Sequence, residues 1–483
     1  MPCPTDSGQV TNGSLNECAV GIGFRTSAKV QLVCAFTTRP RTDRSIGKID
    51  ELYSRHVGEP NDDSELSAAG RFMTNVERPE KKAGGPLAGM RVVDMTSVVL
   101  GPLAAQILGD FGADVIKVEP LKGDLMRANG VSRNPGMSSI FLSLNRNKRS
   151  LAIDLKTAAG AEVMRRLLGD VDVLVHNMRV AAIERLGFGY EAVRQLKPDI
   201  VYCAATGFGQ DGPERDKPAF DDVIQACSGL ADLNATADGT PYYVPSLIAD
   251  KTTGMALVNA VLAALLWRER VGEGQYVEVP MFETMVAFML TEHLGGLTFE
   301  PATAPAGYSR LLSGGRKPAP TADGHIAMLP YTGAHWRAFF SAAGRDDLAE
   351  KYGVDDRNAR NANLVAMYRD MVEMAGQQTT AQWMALCAEL DIPATPIYAL
   401  DELPGHPQAR AVELFQTTEH PSEGTIRYVR PTTQFSATPA HVRRQAPSLG
   451  QHTTEILQEC GVSVEEINAL RRDGVIGGQA DSE

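Results

Sequence analysis

Asp250 is the one carboxylate at the start of "VPSLIADKTTGMALVNAVLAALLWRER" (residues 244–270), where an extended segment meets a long apolar helix expected over 251 to about 268. Two roles are open to it. Asp is among the best helix N-caps, because its oxygens accept the unpaired N–H groups of the first turn, worth about 0.5–2 kcal/mol. An ionised carboxylate is also a nucleophile for acyl transfer, and a helix N-terminus should lower the pKa of an acid placed there. This stretch alone leaves both open.

Three further stretches could bind or react. "GFGQDG" (207–212) is a literal G-x-G-x-x-G following a strand. A dinucleotide site needs the third glycine to open a helix, and Pro213 and Pro218 forbid one. It reads instead as a glycine-rich active-site loop holding Gly207 and Gly209, with no nicotinamide cofactor expected. "LNRNKRS" (144–150) sets Lys148 and Arg149 beside a strand start, either a solvated basic turn or an anion site. "VHNMRVAAIERLGFGY" (175–190) carries His176, Asn177, Arg179 and Arg185 past a strand's carboxyl end. Ligands of open α/β sheets bind there, although an exposed helix would carry the same arginines.

The elements that must position these residues follow an α/β rhythm from residue 86. Strands are expected at "MRVVDM" (90–95), "DVIKVE" (114–119), "SLAIDL" (150–155), "VDVLVHN" (171–177) and "DIVYCAATG" (199–207). Helices intervene at 101–112, 157–170 and 181–197, and a further strand and helix follow in "GQYVEVPMFETMVAFML". Pro, Gly and Ala between 299 and 323 mark a boundary. A smaller α+β region follows, with helices near 334–343, 361–375 and 379–389. The expected organisation is an N-terminal extension over 1–85, a large domain over 86–300, a small domain over 310–405 and a C-terminal segment over 406–483 that returns to the large domain. The extension reads as a disordered, solvated linker or a mis-assigned start, with Met73 as the alternative start.

Composition narrows the class. The chain has 483 residues, 43% of them apolar, enough for real cores. A net charge of −12 disfavours nucleic acid or an anionic membrane as partner. No apolar run is read as long enough to span a bilayer, because Trp267, Arg268 and Glu269 end the longest. Seven scattered cysteines form neither a metal spacing nor a disulfide framework, which suits a reducing cytoplasm.

Taken in order, "LAGMRVVDMTSVVLGPLAAQILGDFGADVIKVEP", "LNRNKRSLAIDLK", "VHNMRVAAIERLGFGYEAVRQLKPDIVYCAATGFGQDGP", "KPAFDDVIQACSGL", "ADKTTGMALVNAVLAALLWRERVGEGQYVEVPMFE" and "APSLGQHTTEIL" resemble the family III CoA-transferases, the CaiB/BaiF family. The resemblance runs from about 86 to 473. It implies a Rossmann-like large domain with a parallel sheet, a smaller α+β domain and an interlocked homodimer. It also implies CoA transfer from an acyl-CoA to a carboxylic acid, with Asp250 as covalent nucleophile. Coenzyme A enters as acyl-CoA substrate, without metal or nicotinamide. Val98, Val99 and Leu100 correspond to the loop approaching the pantetheine, and Ile153 and Lys156 to positions near the adenine and phosphates. Asn177, Met178 and Arg185 correspond to a second set of cofactor contacts. Pro120 replaces a basic contact of some members, so that contact is either lost or supplied by Lys122. Phe220 stands where a racemising branch has its histidine. Phe cannot move a proton, so a transferase is expected rather than a 2-methylacyl-CoA racemase or a CoA-thioester lyase, and Asp250, retained in its full context, disfavours a silent CoA-binding homologue. Asp221 and Asp222 beside it are expected to be structural.

Overall fold

The computed structural model describes residues 84–235, 239–312 and 314–478. The expected extension over 1–85 and the alternative start at Met73 lie, but for its last two residues, outside the described residues.

Six strands make one parallel sheet: β1 (Arg91–Met95), β2 (Asp114–Glu119), β3 (Lys148–Ala152), β4 (Val173–His176), β5 (Val201–Thr206) and β6 (Gln275–Pro280). Their order is β3-β2-β1-β4-β5-β6, the doubly wound arrangement whose strand order reverses between β1 and β4. Among the described residues, nine α-helices run through this part: α1 (Leu100–Asp110), α2 (Ser139–Leu144), α3 (Ala158–Leu168), α4 (Val180–Arg185), α5 (Tyr190–Leu196), α6 (Asp221–Cys227), α7 (Leu230–Leu233), α8 (Ile248–Val271) and α9 (Met281–His293).

A sheet covered on both faces needs apolar residues at successive positions, and period-2 geometry sends them to opposite sides. In β1, Val92 joins a core with α1, α8 and α9 through Leu100, Leu108, Leu257, Val261 and Met285. Its neighbour Val93 joins the opposite core, with Met164 and Leu167 of α3 and Val193 of α5. The chain's later helices, Thr453–Glu459 and Val464–Arg472, close that second face through Ile456, Leu457, Ile467 and Leu470.

α8 is 24 residues long and starts at Ile248, so Asp250 lies inside it rather than ahead of it. It is long and apolar enough to cross a membrane by length and composition alone, which corrects the expectation that no run was. Ala249, Leu257, Val258, Val261, Ala264 and Leu265 are nevertheless buried in the protein core. Gly272, with φ 81°, ends the helix in the left-handed conformation that glycine adopts without strain.

The region after residue 313 has its own core. A three-stranded antiparallel sheet (Ala319–Pro320, His325–Met328, Ala394–Pro396) carries helices Gly333–Ala342, Asp346–Lys351, Arg357–Ala375 and Thr380–Glu389. Trp336, Phe339, Phe340, Tyr368 and Trp383 fill the space between them. Thr332, Asp356 and Thr379 cap three of these helices with their side chains, as their residue types favour.

Candidate active site

The crevice at the carboxyl ends of β1 and β4 is where doubly wound sheets bind ligands. Here Asn177, just past β4, reaches across it to Ser97, just past β1. Its Nδ2 donates to the Ser97 carbonyl (2.8 Å), and its Oδ1 accepts the Ser97 N–H (3.0 Å). Val98 follows with φ 72°, a left-handed conformation costly for a β-branched residue. Its N–H is held by Asp124 Oδ1 (3.3 Å), which also accepts from Met126 N (2.9 Å). Asp124 is in turn bonded through Oδ2 to the fully buried Lys117 (2.9 Å). The strained loop therefore rests on a fixed charged floor.

Above it lies a cavity of about 260 Å³. Val98, Leu100, Asn177, Met178, Gly207, Phe220 and Asp250 line it together, as do Arg179, Arg215 and Lys217. Seven of the twelve positions expected at the nucleophile, the cofactor contacts and the active-site loop thus converge from four stretches of chain. The cavity wall does not include the other five. Val99 turns into a small cluster with Met126 and Leu144. Ile153 is buried in the sheet core and bridges to Ile476. Lys156 and Arg185 are exposed, beyond β3 and in the last turn of α4. Gly209 stays on the loop, but its N–H donates to Glu283 Oε1 (2.9 Å), and the next N–H, of Gln210, donates to Glu278 (2.8 Å). A side chain at Gly209 would collide with Glu283, its added carbon 2.5 Å from Oε1. Residues 207–220 form turns and bends, and the next helix begins at Asp221, so the third glycine opens no helix.

Two expectations need correction. Lys148 and Arg149 are neither a solvated turn nor an anion site. Lys148 Nζ is fully buried and spends its three donors on Asp94, Pro102 O and Asn145, each at 2.9 Å. Arg149 is consumed by Asp114, Glu455 and Glu459. Strand β3 begins at Lys148, earlier than read, and carries both inward.

Asp250, likewise, does not cap α8. Leu247 occupies the cap position without a side-chain bond, and Asp250 is the third helical residue. The Asp250 N–H donates to Asp221 Oδ1 (3.0 Å), so a carboxylate from α6 serves this first turn. Gln225 Nε2 holds the other oxygen of Asp221 (2.6 Å). Asp250 is buried, 8% exposed, and among the described residues forms no ion pair. Burial first, and then the Asp221 charge, push it up to about 7, opposite to the lowering expected. One turn on, Gly254 lets α8 approach α1: an added carbon there would lie 2.7 Å from the Leu100 carbonyl oxygen. That contact sets the Asp250 turn beside the start of α1. Asp221 was read only as structural, and the clue to more was its place in "FDD" next to a cavity residue.

A buried acid without a cation, at the switch point and beside three basic side chains, is an arrangement with the chemistry for acyl transfer on an anionic substrate. The sequence pattern of CoA-transferase family III matches residues 87–453. The chain belongs to that family. It is 32% identical over 395 residues to the succinate–glutarate CoA-transferase of Agrobacterium fabrum, covering 79% of this chain and 97% of that one. It is equally 32% identical over 410 residues to the succinyl-CoA–L-malate CoA-transferase beta subunit of Chloroflexus aurantiacus, with 81% and 98% covered. A crystal structure of a CaiB/BaiF family protein from Brucella suis superposes with a TM-score of 0.68 at 27% identity, covering 78% of this chain and all of that one. As a family III member the chain is a CoA-transferase, and its fold is the family's.

Proposed function

We propose that Asp250 is the covalent nucleophile of this CoA-transferase, acting between an acyl-CoA and a small dicarboxylic acid. The observation that carries the reading is Asp250 itself, buried on the cavity wall and left without a cation. A structural carboxylate so placed would be paired.

In the proposed cycle an Asp250 oxygen attacks the thioester carbonyl and the C–S bond breaks, giving a mixed anhydride and CoA thiolate. The thiolate attacks the aspartyl carbonyl, releases the donor acid and leaves an aspartyl-CoA thioester. The acceptor carboxylate attacks that thioester and expels thiolate again, forming a second anhydride. Thiolate attack at the acceptor carbonyl then frees Asp250 and the new acyl-CoA. The thioester's energy is kept throughout, so no ATP is needed. Arg179, Arg215 and Lys217 would bring negative charge to the cavity. Val98, Leu100 and Met281 offer a wall for methylene groups. Together they suit an acid with a carboxylate at each end, the kind named in the two CoA-transferases above. Phe220 lends no proton carrier to the cavity, which favours transfer over epimerisation at C2.

We carry the interlocked homodimer and the cytoplasmic setting in the same proposal. Met255, Leu266 and Trp267 of α8 and Phe288 of α9 are exposed, as a face awaiting a second copy would be. Cys203, Cys227, Cys387 and Cys460 are free thiols.

The direct test is Asp250→Asn, expected to cut turnover by about 10³-fold or more with the fold retained. Donor acyl-CoA and carboxylic acid pairs are screened by mass spectrometry, and hydroxylamine traps the acyl-enzyme. Substantial turnover by Asp250→Asn, or hydroxamate on any other residue, would refute the assignment.

A further inference from the structure

A second cavity, of about 490 Å³, opens in the α+β region. Tyr308 and Arg310 reach it from the segment before the region's sheet, Tyr331 from beyond strand His325–Met328, and Arg357, Arg360 and Asn361 from the first turns of helix Arg357–Ala375. Three guanidinium groups meet there, and no Asp or Glu is among the described residues lining it.

The nearest acids along the chain have their main partners outside the cavity. Asp355 is paired with Arg337 of the adjoining helix Gly333–Ala342, and its carboxylate also feels the Arg360 charge more weakly. Asp356 caps its own helix by accepting the Ala359 N–H (2.7 Å). The cations are also held in place. Arg360 donates to the Val354 carbonyl (2.5 Å), and the Arg310 guanidinium lies over the Tyr331 ring, 4.8 Å from its centroid.

Gathering three cations in one concavity costs mutual repulsion, and in a chain of net charge −12 it is not a by-product of a basic surface. Arginine's planar fork matches carboxylate and phosphate oxygens in pairs. The volume suits a small molecule.

We infer that this cavity is a second anion-binding site, taking a small molecule with two anionic oxygen groups, carboxylate or phosphate, at Arg357 and Arg360. The site is built from residues other than those around Asp250 and stands whether or not Asp250 is the nucleophile.

Calorimetric titration of the full chain with glutarate, pyrophosphate and adenosine 3′,5′-bisphosphate tests it. Saturable binding is expected for at least one probe. Glutarate alone would point to a free dicarboxylic acid, the bisphosphate alone to the nucleotide end of CoA, and pyrophosphate to phosphate oxygens in general. Arg357→Gln should weaken that binding by about tenfold or more, the loss of at least one charge-assisted hydrogen bond, while Asp250→Asn leaves it intact. Arg357 is exposed, so its replacement should not disturb folding. A measurement needing no substitution is phenylglyoxal modification of Arg357 and Arg360, mapped by mass spectrometry and slowed by the bound probe. No saturable binding at millimolar probe, equal binding by Arg357→Gln, or modification at an unchanged rate would each overturn the inference.

Discussion

Two groups of buried acids lie on either side of the switch point, and they are treated in opposite ways. Below β1–β3, each acid faces a cation: Asp94 meets Lys148 (2.9 Å), Asp124 meets Lys117 (2.9 Å) and Glu119 meets Arg127 (2.7 Å). Burial works to raise Asp94 and Glu119, yet the cations and hydrogen bonds around them hold both below the usual carboxylate range. On the other side, Asp250 faces Asp221, and burial and that second carboxylate push it up to about 7. Similar burial therefore gives a fixed anion in one place and a titratable acid in the other. What differs is the partner, and the partner separates scaffold from candidate chemistry.

The sharpest way to break the comparison is to unpair one of the scaffold acids. Lys117→Met leaves Asp124 buried without its cation, and such a loss costs about 3–5 kcal/mol. Urea denaturation should show it, and a loss below about 1 kcal/mol would mean that the pairing is not what holds this floor. The same change should loosen the Val98 loop, whose N–H rests on Asp124.

Removing the charge on the other side should do the reverse. Asp250 has a folded pKa raised from 3.8 to about 7, so its stabilising, protonated form is fully present below about 4 and lost as pH rises through 7. Asp250→Asn keeps the shape of the protonated form. It should match the wild type in stability near pH 4 and exceed it by an amount on the order of a few kcal/mol at pH 8. Urea melts at both pH values give the answer, and a variant less stable at pH 8 would show that the carboxylate is compensated after all.

Much of this arrangement was legible in the sequence, and the part that was not has one cause. "MRVVDM", "DVIKVE" and "DIVYCAATG" announce buried strands because parallel sheets demand apolar runs, and all three are strands here. Asp250, Asn177 and Phe220 could be placed near one another by family resemblance. Hydrophobic pattern shows that a side chain goes inward, not which partner waits there. Lys148 and Arg149 looked like a basic turn because their acids, Asp94 and Asp114, lie far back in the chain. The start of α8 was misread for the same reason: the carboxylate that serves its first turn belongs to α6, 29 residues earlier.

A subtler probe of the acid pair is Asp221→Asn, which keeps an oxygen for the Asp250 N–H and removes the neighbouring charge. If Asp250 acts as a carboxylate, kcat/KM of the wild type should fall as pH drops through about 7. In the variant that limb should move to lower pH, toward 3.8, so activity at pH 6 rises relative to pH 8. An unmoved limb would assign the titration to some other group.

The smallest expected effect concerns the loop joining the two groups. Val98 holds φ 72°, a conformation costing a β-branched residue roughly 1–2 kcal/mol. Glycine would relieve that strain but adds about 0.5–1 kcal/mol of chain entropy to be lost on folding. Val98→Gly should therefore change the melting midpoint little, and upward if at all. Activity should drop all the same, because Val98 is part of the cavity wall and leads directly into the start of α1. Stability and kcat/KM moving in opposite directions would show that the strain serves the site. A parallel loss of both would mean instead that the Val98 side chain holds the fold, and the loop would then belong with the scaffold acids beneath it.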